Sequence, residues 1–259
     1  KPFDTDELLA RVRSLLRLKH SIDAQKEMTR QREDFGSRLT HDLRTPLVAA
    51  DRMLNLFLQE TFCKISPEMK KAIAAMIRSN HNLLEMVNTL LEVSRFEAGK
   101  KTLNCASCNL LSIVEEVVQE LSPLAQERDL IIEFKNNLPQ AEDASVINGD
   151  CLELRRVVSN LIGNAIKFTD EGGVKVRLSE LISDIGGSWV KLEVEDTGYG
   201  IAQEDQKSIF ERFRQGRNKR SGSGLGLHLS NRIIETHRGK IQVFSELGKG
   251  SLFTVLLPK

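Results

Sequence analysis

The sequence predicts an α+β chain in which a helical hairpin precedes an α/β sandwich. Before Gly99, apolar residues recur at helical and heptad spacing and glycine is sparse. The rest of the chain alternates strand-like and helix-like patterns between glycine-rich turns. We therefore expect a coiled-coil entry over residues 1–20, a helical-hairpin domain over 21–103 and a sandwich domain over 104–259.

The overall composition argues against several classes of protein. The 259 residues carry 37 Lys and Arg against 36 Asp and Glu, so the net charge of +1 creates no global field for nucleic acid or an anionic membrane. No run reaches the roughly 18 apolar residues of a membrane span, and the first residues lack the apolar region of a signal peptide. We expect a cytoplasmic segment of a longer protein, since the sequence begins at Lys1 rather than Met.

The four cysteines are too few and too scattered for a disulfide framework, which favours a reducing compartment. Cys105 and Cys108 form a lone C-x-x-C. Neither zinc nor redox chemistry is favoured there, because no second pair and no nearby histidine accompanies them. Four histidines have no acidic partner at useful spacing, and no role is assigned to them: His20, His81, His228 and His237.

The first helix is predicted to begin at a cap formed by Asp4 or Thr5. Its later apolar residues step alternately by four and three, as in a heptad seam: Leu39, Leu43, Pro46, Ala50, Met53 and Phe57. Ser66 and Pro67 start a second helix that ends at Ala98-Gly99 and has its own seam: Ile73, Met76, Leu83, Val87 and Leu90. Two helices bury such seams poorly, so we expect a homodimer whose hairpins form a four-helix bundle.

The region after Lys101 predicts a mixed sheet with helices on one face. Helical spacing extends from Leu110 to Leu124, from Leu154 to Ala165, and from Gly226 to Ile233. Alternating, strand-like spacing occurs in five stretches: Leu130 to Phe134, Val174 to Leu178, Val190 to Val194, Ile241 to Val243 and Leu252 to Leu257.

His41 is the candidate chemical residue of the hairpin. The heptad assignment puts it at position f, which faces solvent, with Asp42 adjacent and Thr45 one turn further along the same face. Pro46 predicts a kink here and costs about 3 kcal/mol inside a helix unless the site uses it. The alternative is an ordinary solvated histidine.

Asn160, Asn164 and Lys167 recur at i, i+4 and i+7 on one face of the helix that follows Asp150. Two carboxamide oxygens could bind a hard cation such as Mg²⁺, and the ammonium group could bind phosphate oxygens. A solvated polar face explains the same pattern equally well.

The strand period places Asp196 on the buried face, immediately before the turn Gly198-Tyr199-Gly200. Its carboxylate could accept a hydrogen bond from an exocyclic amine, although an ordinary turn is the simpler interpretation. Further on, residues 222–227 form a glycine-rich loop that could bring backbone amides to phosphate at a helix N-terminus. Two interpretations fit the five basic residues that precede this loop: a solvated charged run, or a basic lid over a triphosphate. These residues are Arg212, Arg214, Arg217, Lys219 and Arg220.

Together these motifs resemble, in order, those of the sensor histidine kinases of two-component signalling, over roughly residues 30–259. Thr40 to Leu47 resembles the phosphoacceptor H box, and Asn160 to Thr169 the N box. The remaining matches are the first glycine box at Asp196 to Ile201, the F box at Ile209 to Gln215, the second glycine box at Gly222 to Leu227 and the closing hairpin at Gly248 to Ser251. Residues 1–18 are similar to the tail of a response-regulator receiver domain.

The resemblance implies a dimerisation and histidine-phosphotransfer bundle followed by a GHKL (Bergerat) ATP-binding domain. His41 would take the γ-phosphoryl group of ATP, Asp42 would assist it, and Thr45 would orient water for a phosphatase reaction. Asn164, with Asn160 beside it, would bind Mg²⁺. The other nucleotide-binding residues implied are Lys167 at phosphate, Asp196 at adenine, the pocket residues Gly198, Gly200, Ile201 and Arg214, and the lid residues Gly222, Gly224, Leu225 and Gly226.

The implied partners are a second copy of the chain and the receiver domain of a cognate response regulator, with no nucleic acid. Two alternatives share the fold: a nucleotide-sensing scaffold without kinase activity, and an ATPase that drives conformational work. The scaffold would be expected to lack His41, Asn164 or the motif glycines, all of which are present, and the ATPase has no use for an exposed His41.

Overall fold

The computed structural model describes residues 5–61, 64–97, 101–141, 143–182, 187–214 and 223–259, and for residues 5–8, 24–26 and 28–41 it describes the backbone only. The chain divides into two compact units. Lys1–Lys101 is called the hairpin unit below, and Thr102–Lys259 the sandwich unit. The expected cap at Asp4 and the stop at Ala98-Gly99 lie outside the described residues.

Where it is described, the hairpin unit forms two long helices, α1 (Thr5–Leu58) and α2 (Pro67–Glu97). The start of α2 confirms the predicted cap, because Ser66 Oγ accepts a hydrogen bond from Met69 N at 3.2 Å and proline occupies the first helical position. The helix α1 runs through Pro46 without interruption.

Polar side chains join α1 to α2. Asn80 Nδ2 donates to the carbonyl of Leu47 at 2.8 Å, and His81 Nε2 lies 2.8 Å from Asp51 Oδ1. The expectation that His81 lacks an acidic partner is therefore wrong. Its partner is 30 positions away along the chain, and only the antiparallel packing of the helices brings the two together.

Much of the heptad seam stays exposed in a single chain. Leu43, Met53, Met76 and Leu83 are between 41% and 57% exposed, whereas Val87 is buried. Apolar side chains at heptad spacing that the hairpin does not cover fit the expectation of helical partners from a second copy.

The described part of the sandwich unit contains three helices, α3 (Leu110–Gln126), α4 (Cys151–Phe168) and α5 (Gly226–Thr236). Its strands are β1 (Ala106–Asn109), β2 (Ile131–Asn137), β3 (Val146–Gly149), β4 (Gly173–Ile182), β5 (Ser188–Asp196), β6 (Lys240–Glu246) and β7 (Gly250–Pro258). The sequence did not predict β1 and β3, which are four residues each and form a separate two-stranded sheet.

The main sheet has five strands in the order β2-β4-β5-β7-β6. The β2–β4 pair is parallel and the other pairs are antiparallel. On β4 the alternate residues Val174, Val176 and Leu178 are fully buried, as are Ile162 and Ile166 of α4. This burial on one face confirms the predicted α/β sandwich with helices on one side of a mixed sheet.

Two of the four cysteines form a pair that the sequence did not indicate. Cys108 of β1 and Cys151 at the start of α4 are joined as a disulfide, with their Cα atoms 5.6 Å apart, while Cys105 is free and exposed. The partner of Cys108 is therefore not the other half of the C-x-x-C, because strand pairing directs its buried side chain toward α4. A single bridge does not amount to a disulfide framework.

Within the described residues, no helix is long and apolar enough to cross a membrane.

Candidate functional site

The helix α4 carries Asn160, Asn164 and Lys167, and its start is held by the N-cap Asp150. The Asp150 carboxylate accepts hydrogen bonds from Leu152 N at 3.2 Å and Asn104 N at 3.0 Å. The Asp150 amide donates to Nε2 of His237 at 2.9 Å. The position of α4 is thus set by residues of three separate segments, and His237 is a supporting residue that the sequence did not indicate.

The two asparagines of α4 lie against each other and against α5. Asn160 Nδ2 donates to Ser230 Oγ at 2.9 Å, and Asn164 Nδ2 donates to Asn160 Oδ1 at 3.3 Å. A Cβ atom at Gly226 would lie 2.5 Å from Asn160 Oδ1, so a side chain there would displace the Asn160 carboxamide from its present position. The structure therefore brings Asn160, Asn164 and Gly226 together, as expected for one site.

The far end of α4 contacts the first glycine turn. Lys167 Nζ lies 5.5 Å from the centroid of the Phe168 ring, and Tyr199 N donates to the Phe168 carbonyl at 3.4 Å. A side chain at Gly198 would collide with that carbonyl. One helix thus links the turn after Asp196 to the start of α5.

Asp196 ends β5 and is 6% exposed. Gly198 N donates to its Oδ1 at 2.8 Å. Burial raises the pKa of Asp196, while hydrogen bonds from Gly198 and Ser251 oppose that rise. A carboxylate held in this way is a directed, desolvated hydrogen-bond acceptor.

Two serines that sequence reasoning missed extend this network. Ser251 faces Asp196 in the β5–β7 register, and Ser245 Oγ donates to Ser251 Oγ at 3.0 Å. Ile201 N in turn donates to Ser245 Oγ at 2.7 Å. The signal that could have found Ser251 was its place in the closing-hairpin motif, but pairing with Asp196 depends on strand order.

Gly200 adopts a left-handed φ of +69°, and its Cβ would collide with the carbonyl of Glu246. The Tyr199 carbonyl accepts a hydrogen bond from Gly248 N at 2.7 Å. The first glycine turn therefore lies directly on the β6–β7 hairpin, and glycine is required there by both conformation and space.

The F-box segment is tied to the start of α5. Phe213 N donates to the Gly224 carbonyl at 3.0 Å, and Nδ1 of His228 lies 2.8 Å from the Phe210 carbonyl, which it can reach as a donor. Burial lowers the pKa of His228, so its neutral form is favoured. Arg214 is exposed, and its Nε lies 3.2 Å from Glu211 Oε2.

The loop before α5 is described only in part. Gly222 and the basic residues Arg217, Lys219 and Arg220 lie outside the described residues. Leu225 is fully buried, so its side chain contributes packing and only its backbone could reach a ligand.

The hairpin candidates lie in the other unit. Asp42 and Thr45 are exposed residues of α1, consistent with the expected solvent-facing surface. His41 belongs to the same helix, but its side chain is outside the described residues.

The donor chemistry of α4 fits a magnesium ion bound together with phosphate groups. Among the described residues, no group of three or more His, Cys, Asp or Glu side chains could form an all-protein metal site. Asn164 Oδ1 is turned away from the Asn160 contact that its Nδ2 makes. Magnesium often takes one or two protein oxygens and completes its shell with phosphates and water, which a single carboxamide oxygen satisfies.

Two family models match the chain. That of the histidine kinase-, DNA gyrase B- and HSP90-like ATPases matches residues 149–259, and that of the His Kinase A phospho-acceptor domain matches residues 31–99. The first match includes α4, Asp196 and α5, and the second includes His41.

Known proteins show the same likeness. Sensor histidine kinase AruS of Pseudomonas aeruginosa is 32% identical over 255 residues, covering 96% of this chain and 25% of AruS. The crystal structure of full-length ShkA in complex with AMPPNP has a TM-score of 0.71 at 32% identity, covering 87% of this chain and 45% of ShkA. The Acinetobacter baumannii histidine kinase AdeS has a TM-score of 0.57 at 25% identity, covering 84% of this chain and 97% of that one. The chain therefore spans about a quarter of the length of the curated relative AruS.

Proposed function

Because this chain belongs to the HisKA-type sensor histidine kinases, we propose that it transfers the γ-phosphoryl group of ATP to His41 and then to an aspartate of a response regulator. The main support for this proposal is the arrangement along α4. The end of this helix contacts the turn that follows the buried carboxylate of Asp196. Nearer its middle, Asn160 contacts the start of α5.

Asp196 is proposed to recognise the adenine ring. Its buried carboxylate, oriented by Gly198 and Ser251, would accept a hydrogen bond from the exocyclic amine. Because Gly198 and Gly200 lack side chains, the turn after Asp196 can lie directly on the Phe168 and Glu246 carbonyls. Ile201 would contribute an apolar surface beside the ring.

The phosphate groups would lie between α4 and the N-terminus of α5. Asn164 is proposed as the magnesium ligand through Oδ1, with Asn160 supporting it, and Lys167 as a phosphate contact. Magnesium, when bound, would neutralise charge on the phosphates. The amides at the start of α5 and the glycine-rich residues Gly222, Gly224, Leu225 and Gly226 would cover the phosphates, with Arg214 at the approach. In the related ShkA, AMPPNP is the bound molecule.

His41 is the proposed nucleophile. An imidazole nitrogen would form a bond to the γ-phosphorus as the bond from that phosphorus to the β–γ bridging oxygen breaks, and ADP would leave with that electron pair. Asp42 would stabilise the proton on the other ring nitrogen and so raise the nucleophilicity of the attacking one.

The exposed seam of α1 and α2 supports a homodimer, in which two hairpins would form the four-helix bundle. The receiver domain of a response regulator is the proposed acceptor partner, and Thr45 is the proposed residue for the reverse, phosphatase reaction. We further propose a cytoplasmic location, and that residues 1–18 form the tail of a receiver-like domain.

Labelling with γ-³²P ATP and magnesium tests the proposal. The chain should acquire an acid-labile, alkali-stable label, and His41→Gln should abolish it while changing ATP affinity less than about twofold. The matched control His20→Gln, at an exposed position of α1, should label like the parent. Binding of ATP without labelling would instead indicate a nucleotide-sensing scaffold, and release of free phosphate without labelling would indicate an ATPase.

A further inference from the structure

A chain of hydrogen bonds runs from α5 into the proposed magnesium site. Ser230 Oγ accepts from Asn160 Nδ2, and Asn160 Oδ1 accepts from Asn164 Nδ2, at 2.9 and 3.3 Å. Each carboxamide has one donor end and one acceptor end, so the orientation of the first determines that of the second. With both amide nitrogens directed back toward Ser230, Asn164 presents its oxygen on the opposite side.

The reversed chain would present the wrong atom. If Ser230 donated to Asn160 Oδ1, then Asn160 Nδ2 would face Asn164 Oδ1, and the Asn164 amide nitrogen would be left for the ligand. An amide nitrogen cannot coordinate a magnesium ion, which binds oxygen. The direction of this hydrogen-bond chain therefore decides whether the site can hold the cation.

The start of α5 is built to make this contact. Ser230 is 2% exposed, and Gly226, one helical turn before it, leaves space for the same Asn160 carboxamide. One face of α5 thus supplies both the space for Asn160 and the hydroxyl group that accepts from it.

We infer that Ser230 is a positioning residue that orients Asn160 and, through it, turns the oxygen of Asn164 toward a magnesium ion bound with ATP. This inference rests on the proposed function. Loss of a group that orients a metal ligand typically weakens metal affinity by about 10–100-fold, because the ligand can then rotate to its non-binding orientation.

The test compares the whole chain with four variants. Binding of AMPPNP is measured by calorimetry at increasing magnesium concentration and again in the presence of EDTA. Ser230→Ala removes the acceptor, Ser230→Thr keeps a hydroxyl group and Ser230→Cys keeps the size with a weaker acceptor. Ser145→Ala is the matched control, because Ser145 is 5% exposed and its hydroxyl donates to Asn109 Oδ1 outside the site.

Ser230→Ala should raise the magnesium concentration for half-maximal tightening of AMPPNP binding about tenfold or more, with metal-free affinity changed less than about twofold. Ser230→Thr should restore the parent value, and Ser145→Ala should match the parent. If Ser230→Ala does not fold, Ser230→Cys is used in its place. Its magnesium requirement should then rise by less than that expected for Ser230→Ala. Amide ¹⁵N spectra should also show altered side-chain resonances of Asn160 and Asn164 in the affected variant.

An unchanged magnesium requirement in Ser230→Ala, or in Ser230→Cys where that variant carries the test, would overturn the role of Ser230 while leaving the proposed function intact. Equal losses with and without magnesium would also overturn it, since they indicate general damage to the pocket. If the parent bound no AMPPNP under either condition, the proposed function itself would be wrong, and this inference would fail with it.

Discussion

The hairpin unit and the sandwich unit differ in how completely each covers its own apolar surface. Among the described residues of the hairpin unit, the buried apolar side chains are Ile65, Val87 and Val93, whereas every central strand and helix of the sandwich unit contributes several. Leu83 and Met76 on the hairpin remain about half exposed. A three-helix, five-stranded sandwich can exclude water from its own core, but a two-helix hairpin cannot.

The two units are therefore expected to depend differently on dimerisation. The sandwich unit should fold and bind nucleotide as a monomer, while the hairpin unit should need a second copy to bury its seam. The polar contacts between α1 and α2, such as Asn80 with Leu47, set how the two helices pair without providing a core.

Substitution in the exposed seam should change dimer stability more than any other change described below. Leu83→Lys should weaken dimerisation by about 3–6 kcal/mol, since burying one leucine contributes about 1.5–3 kcal/mol and a symmetric dimer contains two copies. Analytical ultracentrifugation should show monomers at concentrations where the parent is dimeric, with ATP affinity unchanged. The control Asn82→Lys adds the same charge at an exposed neighbouring position and should stay dimeric. A dimer that survives Leu83→Lys would exclude this seam as the interface.

The second prediction tests whether the sandwich unit can be destabilised without affecting the dimer. Ile162→Ala, at a fully buried position of α4, should destabilise the sandwich unit by about 2–5 kcal/mol. Chemical denaturation followed by the single Trp189 of β5 should detect it. Ile182→Ala, at a 75% exposed position, is the control and should change stability little. Dissociation of the dimer by Ile162→Ala in native buffer would contradict the independence of the two units.

The third prediction concerns ATP affinity and the buried carboxylate of Asp196. Asp196→Asn should weaken ATP binding by about 1.5–3 kcal/mol, which is roughly 10–100-fold, because a hydrogen bond to a buried charged acceptor is lost. Calorimetry measures the affinity, and light scattering should still show the dimer. Glu195→Gln is the matched control, since Glu195 points to the other face of β5 and lies 2.6 Å from Arg177 NH1. Equal affinity losses in the two variants would contradict a direct role for Asp196.

A smaller change is expected at Thr45. Thr45→Ala should keep autophosphorylation within about twofold and reduce dephosphorylation of a phosphorylated receiver domain by about tenfold, because orienting water matters only for the second reaction. Stability should change by less than about 0.5 kcal/mol at this exposed position. Thr45→Ser, which keeps the hydroxyl group, should restore dephosphorylation. Loss of autophosphorylation in a folded Thr45→Ala variant would show that the assignment is wrong.

The smallest effect is a pH dependence confined to the sandwich unit. Burial holds the pKa of His228 below its ordinary value of 6.5, so the unfolded chain takes up a proton before the folded chain does. The stability that neutral His228 contributes is therefore complete above pH 6.5 and decreases as pH falls through the lower, folded-state pKa. His228→Gln should flatten the fall in melting temperature between neutral and mildly acidic pH, whereas His20→Gln, in exposed α1, should not. Identical pH profiles for the parent and His228→Gln would contradict this.

The sequence alone determined the features that depend on local periodicity. Heptad spacing predicted the two long helices, spacing of four placed Asn160 beside Asn164, and the strand period of two placed Asp196 inside. The cap at Ser66 was readable because a capping side chain and the amide that it accepts from are three residues apart.

Contacts between distant segments became apparent from the folded structure and not from the sequence. Asn160 and Ser230 are 70 positions apart, Asp150 and His237 are 87 apart, and Cys108 and Cys151 are 43 apart. Periodicity states which face a residue occupies but not which element covers that face. The partner depends on strand order and on where each loop returns the chain, and these follow from packing of the whole sandwich core. In the sequence, Ser230 therefore looks like any serine in a helix. It is identified as a candidate positioning residue by its contact with Asn160, where α5 packs on α4.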